Sequence, residues 1–215
     1  MGQISIEMFA TLDLVGQAPG GPEEDPDGQF PFGGWQAPLF DDVAGEQVLA
    51  AYQGTDALLL GRRTYDIFAA HWPHQEGGQD DEIARLFNRV PKYVASRGTP
   101  DLPWAGSTLL GPDLAKAVRE VRDRHEDVKV VGSLNLVQTL LREKLFDRID
   151  LWVHPVVLGT GKKVFGDGAV PSNVTLLAPP VASPNGIVYL QYGLAEGTPG
   201  IGDMAGDRDA VRPPA

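Results

Sequence analysis

Ile4, Ile6 and Met8 alternate with Ser5, Glu7 and Phe9, and Ala10-Thr11-Leu12 follow. A period of two predicts a first strand that is largely buried. Ala57-Leu58-Leu59-Leu60 is a continuous apolar run bounded by Asp56 and Gly61. Such a run fits a central strand covered on both faces. Further strands are predicted at 92–95, 107–110, 128–131, 149–157 with Pro155 near its end, 174–177 and 187–192. Asn185-Gly186 between the last two is a hairpin turn signal.

Between these runs the pattern changes to that of a helix. Residues 41–53 place Val43, Gln47 and Ala50 on one face, with Asp41 or Asp42 at the start. Residues 62–70 and 80–89 predict two further helices. At 113–125, Leu114, Ala117, Val118 and Val121 recur at helical spacing behind Asp113, a residue suited to an N-cap. Ser133 is predicted to cap a helix that buries Leu136, Val137, Leu140 and Leu141. Strands alternate with helices for two-thirds of the chain, and then strands follow strands. That order predicts an α/β fold, a mostly parallel central sheet wrapped by helices with an antiparallel C-terminal edge.

Two segments lack a period. Residues 16–38 are rich in glycine, proline and acidic residues, including Gly20-Gly21-Pro22 and Gly33-Gly34-Trp35. Long loops inside compact domains are usually functional or disordered. The stretch 196–215 has almost nothing to bury, so we expect one domain over 1–195 followed by a flexible tail.

Composition narrows the chemistry. The chain has 18 Lys and Arg against 29 Asp and Glu, a formal net charge of −11. That argues against sequence-independent nucleic-acid binding, which needs cations to neutralise phosphates. Cysteine is absent, so disulfides, thiolate nucleophiles and Cys-based metal sites are excluded. No apolar run approaches the roughly 18 residues of a membrane span. The N-terminus shows no basic segment followed by an apolar one, so no signal peptide is expected. The expectation is a cytoplasmic protein that acts on a small molecule, with neither nucleic acid nor membrane as partner. His71 and His74 could share a metal only across Pro73, and a solvated loop explains them better; no metal is expected.

Three turns that follow strands carry candidate chemistry. Gly61-Arg62-Arg63-Thr64 ends a buried strand and opens a helix. Helix N-termini offer free N–H groups to phosphate, and ligands of open α/β sheets bind outside the carboxyl ends of strands. A solvated first turn explains the arginines equally well. Ala95-Ser96-Arg97-Gly98 repeats the theme, and Val131-Gly132-Ser133 is a third case, with a glycine that would let backbone approach a ligand. Gly159-Thr160-Gly161-Lys162-Lys163 is not a P-loop, because Val156 and Lys163 replace its first glycine and its Ser/Thr.

In order, Thr11-Leu12-Asp13, Gly61-Arg62-Arg63-Thr64-Tyr65, Ala95-Ser96-Arg97, Val131-Gly132-Ser133-Leu134 and Phe146-Asp147-Arg148-Ile149-Asp150-Leu151 resemble the dihydrofolate-reductase-like family. The run from Pro155 to Phe165 is the most specific part. The closer branch is the reductase domain of bacterial riboflavin-biosynthesis deaminase-reductases and its stand-alone relatives. The resemblance spans about residues 3–194. It implies a three-layer dihydrofolate-reductase-like fold, NADPH as hydride donor, and a pterin- or pyrimidine-like substrate, with a homodimer as a common assembly. It places cofactor phosphates at Gly61, Arg62, Arg63, Thr64, Ser96 and Arg97, with Gly132, Ser133 and Leu134 beside the pyrophosphate. Asp13 resembles an aspartate of the riboflavin-type branch, which either meets substrate or fixes the turn. Asp42 and Glu46 lie nearest by position to the carboxylate that dihydrofolate reductases hold on their first helix. Trp35 in the long loop, His154, Gly161 and Lys162 are the expected substrate contacts, and the His154 ring could instead serve a backbone hydrogen bond. A nucleotide-binding module with little or no catalysis is the competing expectation.

Overall fold

The structure, a computed structural model, describes residues 2–78, 81–167 and 169–203. The predicted helix start at Asp80 and the tail from residue 204 onward lie outside the described residues. The elements are β1 (Gln3–Thr11), α1 (Asp42–Tyr52), β2 (Ala57–Gly61), α2 (Arg62–His71), α3 (Asp81–Arg89), β3 (Lys92–Ala95), β4 (Ser107–Leu109), α4 (Leu114–Arg124), β5 (Asp127–Val131), α5 (Leu134–Arg142), β6 (Arg148–His154), β7 (Val174–Leu176), β8 (Val181–Ala182) and β9 (Val188–Leu194). Short 3-10 turns occupy Asp27–Gln29, Ala37–Leu39 and Trp72–His74.

One nine-stranded sheet runs in the order β4-β3-β2-β5-β1-β6-β9-β7, with β8 also paired to β9. All pairs from β4 to β6 are parallel. The pairs that involve β9 are antiparallel. Pro155 cannot donate to a ladder, and β6 stops just before it at His154 rather than reaching residue 157. Asn185-Gly186 does make a turn, with Gly186 at φ +84°. It joins β8 to β9 instead of β7 to β9, because a two-residue strand leaves no pattern to read.

The helices form two layers. On one face Ile4, Ile6 and Met8 of β1 and Leu59 of β2 pack with Val118 and Val121 of α4 and Leu136, Val137 and Leu140 of α5. On the other, Leu58, Leu60 and Trp152 pack with Val48 and Tyr52 of α1, Tyr65 of α2 and Phe87 of α3. Helix α1 buries Ala44, Val48 and Tyr52 rather than the face of Val43, Gln47 and Ala50. Its apolar residues are spread round the helix and define no single stripe. Asp41 caps it, accepting from Ala44 N at 2.9 Å.

A charged seam runs through the α1 face of the sheet. The register sets Glu7 beside Val131 and Asp150, and Ser5 beside Lys129 and Arg148. Glu7, Lys129 and Asp150 are all fully buried. Glu7 Oε1 accepts from Trp152 Nε1 at 3.2 Å, and Glu7 Oε2 lies 3.9 Å from Lys129 Nζ. Arg148 donates to Asp150 at 2.8 Å. Burial, more than any neighbouring charge, pushes the Glu7 carboxyl up to about 7.

Candidate functional site

The topology itself marks a crevice. Strands β2 and β5 are neighbours, yet α2 leaves toward one face of the sheet and α5 toward the other. Neighbouring connections that diverge in this way open a gap at the carboxyl ends of their strands. Two of the predicted phosphate turns stand on its two sides. They are bonded directly to each other: Gly61 N donates to Ser133 Oγ at 2.9 Å, and Ser133 N donates to Thr64 Oγ1 at 3.0 Å.

This arrangement changes the reading of Ser133. It holds the N-cap position of α5, but its hydroxyl accepts no bond from that helix. The hydroxyl is spent on the neighbouring turn instead. Ser133 has φ +56° and Gly132 has φ +57°. For serine the left-handed region costs roughly 1–2 kcal/mol, and backbone strain of this kind gathers at functional sites. At Gly132 a Cβ would stand 3.6 Å from Thr64 Cγ2, inside the gap. The first N–H groups of α2 and α5 have no acceptor within their own helices. Leu134 is the first helical residue of α5 and packs into the core.

The arginines divide. Arg62 makes an exposed ion pair with Asp66 one turn on, at 2.7 Å. Such pairs contribute only about 0.3–0.5 kcal/mol, so a phosphate would displace Asp66 at little cost. Arg97 is exposed and has no ion pair among the described residues, and Ser96 Oγ accepts from Gly98 N at 3.2 Å. Arg63 is different: its Nη1 donates to Asp25 Oδ1 at 2.6 Å and also to Asp27 Oδ2.

Asp25 and Asp27 belong to the long loop, which folds back as a lid onto Arg63 at the opening of α2. Lys162, beyond β6, completes the group by donating to Asp25 Oδ2 at 2.6 Å and Asp27 Oδ2 at 2.8 Å. The hydrogen bond from Arg63, with that from Lys162, lowers the Asp27 carboxyl to about 2. Gln17 knits the lid together. Its Nε2 donates to the carbonyls of Asp25 and Asp27 at 2.9 and 3.0 Å. Its Oε1 accepts from Lys162 N at 2.9 Å. Trp35 Nε1 donates to Gln17 O at 2.8 Å. Val15, Ala18, Phe30 and Trp35 form a buried cluster under the lid. Burial of a large apolar side chain is worth roughly 1.5–3 kcal/mol, so the closed lid is a folded element.

The expected substrate contacts therefore lie within or beneath the lid. Gly161 has φ +112°, and a Cβ there would come 2.7 Å from both Phe30 and Val15. His154 is fully buried, edge-on to Trp35 with ring centroids 5.0 Å apart. Its Nδ1 lies 2.9 Å from Trp152 O and 3.3 Å from Ala10 O. Its Nε2 has no partner among the described residues, and burial lowers its pKa.

The three expected carboxylates do not converge on the crevice. Asp42 and Glu46 face solvent on α1. Asp13 accepts from the Thr11 hydroxyl at 2.6 Å and from the backbone of Leu158 and Gly159 at 3.2 and 2.8 Å. The Thr11 bond above all holds it below the ordinary carboxylate range, and its carboxylate fastens the turn after β6. No sequence pattern marks Asp25, Asp27 and Gln17, which lie in a stretch with no period, or Glu7, which alternates like any strand position. Among the described residues no three His, Cys, Asp or Glu side chains converge as metal ligands, and no helix is long and apolar enough to cross a membrane.

Comparison with known proteins agrees with this fold. Residues 3–180 match the family model for the RibD C-terminal domain. The uncharacterized protein YyaP of Bacillus subtilis (strain 168) is 27% identical over 138 residues, which cover 64% of this chain and 73% of that protein. Among solved structures, a putative riboflavin biosynthesis protein from Shewanella sp. PV-4 superposes with a TM-score of 0.62 at 16% identity, covering 90% of this chain and 99% of that one. A pyrimidine reductase-like protein from Corynebacterium diphtheriae superposes at 0.59 with 11% identity, covering 91% and 92%. At these identities the structures establish a shared fold.

Proposed function

The chain belongs to the RibD C-terminal domain family, and from that premise we propose that it is an NADPH-dependent reductase of a small pterin- or pyrimidine-like substrate. One observation carries the reading: the turns after β2 and β5 are bonded to each other across the crevice where their helices diverge. The residues there suit a dinucleotide. Helix N-termini favour phosphate, a side chain is missing at Gly132, and Arg62 and Arg97 are accessible cations. Arginine grips phosphate oxygens bidentately. Arg62, Thr64, Ser96 and Arg97 would hold the phosphates, with the extra phosphate of NADPH at an arginine. Gly132, Ser133 and Leu134 would lie along the pyrophosphate.

The bound cofactor supplies the hydride, and the protein supplies orientation and electrostatics. The lid contributes Trp35 as an apolar wall and keeps water out. Arg63 ties that lid to the cofactor turn through Asp25 and Asp27. A second reading has its own support. Asp42 and Glu46 face solvent and Asp13 is bound to backbone, so no expected carboxylate stands ready to support protonation. The chain would then be an NADP(H)-binding module with little or no catalysis.

The deciding experiment follows NADPH oxidation with a panel of oxidised pterins and pyrimidines. Turnover with any of them supports the reductase. Tight NADPH binding with no oxidation across the panel supports the binding module.

A further inference from the structure

Arg63 and Lys162 come from distant parts of the chain, one opening α2 and the other following β6. Each bridges both Asp25 and Asp27. Two carboxylates two residues apart repel, and so do two cations facing one gap. Only the alternation of sign lets the four groups meet, and their charges cancel. Viewed from the cations, the two lid carboxylates sit where the oxygens of a phosphate would sit.

We infer that Asp25 and Asp27 close this cation pair to phosphate, so that the substrate beneath the lid is a heterocycle with no phosphoryl group facing Arg63 and Lys162. A phosphate brought to the intact quartet would meet cations whose charge the two carboxylates already neutralise. To take their place it would have to pull out Asp25, which is held through the backbone by Gln17. It would also have to lift Phe30 from its seat on Gly161, where no space is left even for a methyl group. The lid's buried cluster resists both movements. Asp25 and Asp27 are thus specificity-determining residues that reject phosphorylated relatives of the substrate.

The substrate assignment rests on the reductase reading, whereas the state of the ion quartet does not. The test titrates inorganic phosphate calorimetrically at constant ionic strength, comparing wild type with Asp25→Asn/Asp27→Asn. Each is repeated in a Lys162→Ala background, so that only binding that depends on Lys162 is counted. The expected result is no Lys162-dependent phosphate binding in wild type. The double variant gains it, at least tenfold tighter than any wild-type binding. Equal affinities in the two proteins, whether measurable or not, overturn the inference. Circular dichroism checks folding. If the double variant is unfolded, Asp27→Asn alone gives the same comparison, since that carboxylate is half exposed. An NADPH titration of wild type separates the two claims. Failure to bind NADPH removes the reductase reading, while the phosphate comparison still decides whether the cation pair is closed.

Discussion

Glu7 offers a quantitative test of how the charged seam beneath the site is built. Its carboxyl is fully buried, with Lys129, Asp150, Arg148, Trp152 and Tyr52 acting on it. Burial raises its pKa from 4.5 to about 7. The folded protein therefore holds this proton more tightly than the unfolded chain does. Between those two values the folded state binds more protons, so its stability falls as pH rises through the window. At 1.36 kcal/mol per pKa unit, the loss from this group is about 3 kcal/mol. Glu7→Gln removes the titration but keeps a carbonyl to accept from Trp152 Nε1. Urea unfolding of both proteins from about pH 4 to about pH 8 measures the difference. Any cost of the substitution that does not vary with pH cancels. The expected outcome is a shift of about 3 kcal/mol in favour of the variant over that range. Parallel stability curves would refute the reasoning, because they would mean that Glu7 ionises as freely in the fold as in the unfolded chain.

Two further outcomes are expected. Gly161→Ala places a methyl group against Phe30 and Val15 at a left-handed φ. Overpacking of this kind costs about 1–3 kcal/mol, so unfolding should occur at lower denaturant and Trp35 emission should report a loosened lid. Unchanged stability and emission would contradict the packing described. Arg97→Ala should weaken NADPH about tenfold and leave NADH nearly unchanged, since hydrogen bonds to charged groups contribute about 1.5–3 kcal/mol. Fluorescence titration with each cofactor checks it, and equal loss for both would remove Arg97 from the extra phosphate.

The sheet was legible because its strands carry strong local signals. Leu58, Leu59 and Leu60 are apolar without interruption, and β2 is central and covered on both faces. The alternation at Ile4, Ile6 and Met8 located β1 as a largely buried strand, but it could not show what Ser5 and Glu7 meet on the second face, where both are fully buried and Glu7 bonds Trp152. The phosphate turns were legible as residue types at strand ends. Their mutual hydrogen bonds were not, because Ser133 reaches Gly61 across 72 residues of chain. The lid was recognisable only as a loop. Its acids meet Arg63 through long-range charge pairing, which leaves no period in the sequence. Asp42 and Glu46 match the family's carboxylate only by position along the chain, and the helix face that packs is set by Ala44, Val48 and Tyr52 instead.

The central claim, a dinucleotide site between the turns after β2 and β5, is tested most directly by titrating the purified protein with NADPH and NADH. Nicotinamide fluorescence and quenching of the four tryptophans provide two independent signals. Saturable NADPH binding with clear preference over NADH is the predicted result. No binding of either cofactor would contradict the account.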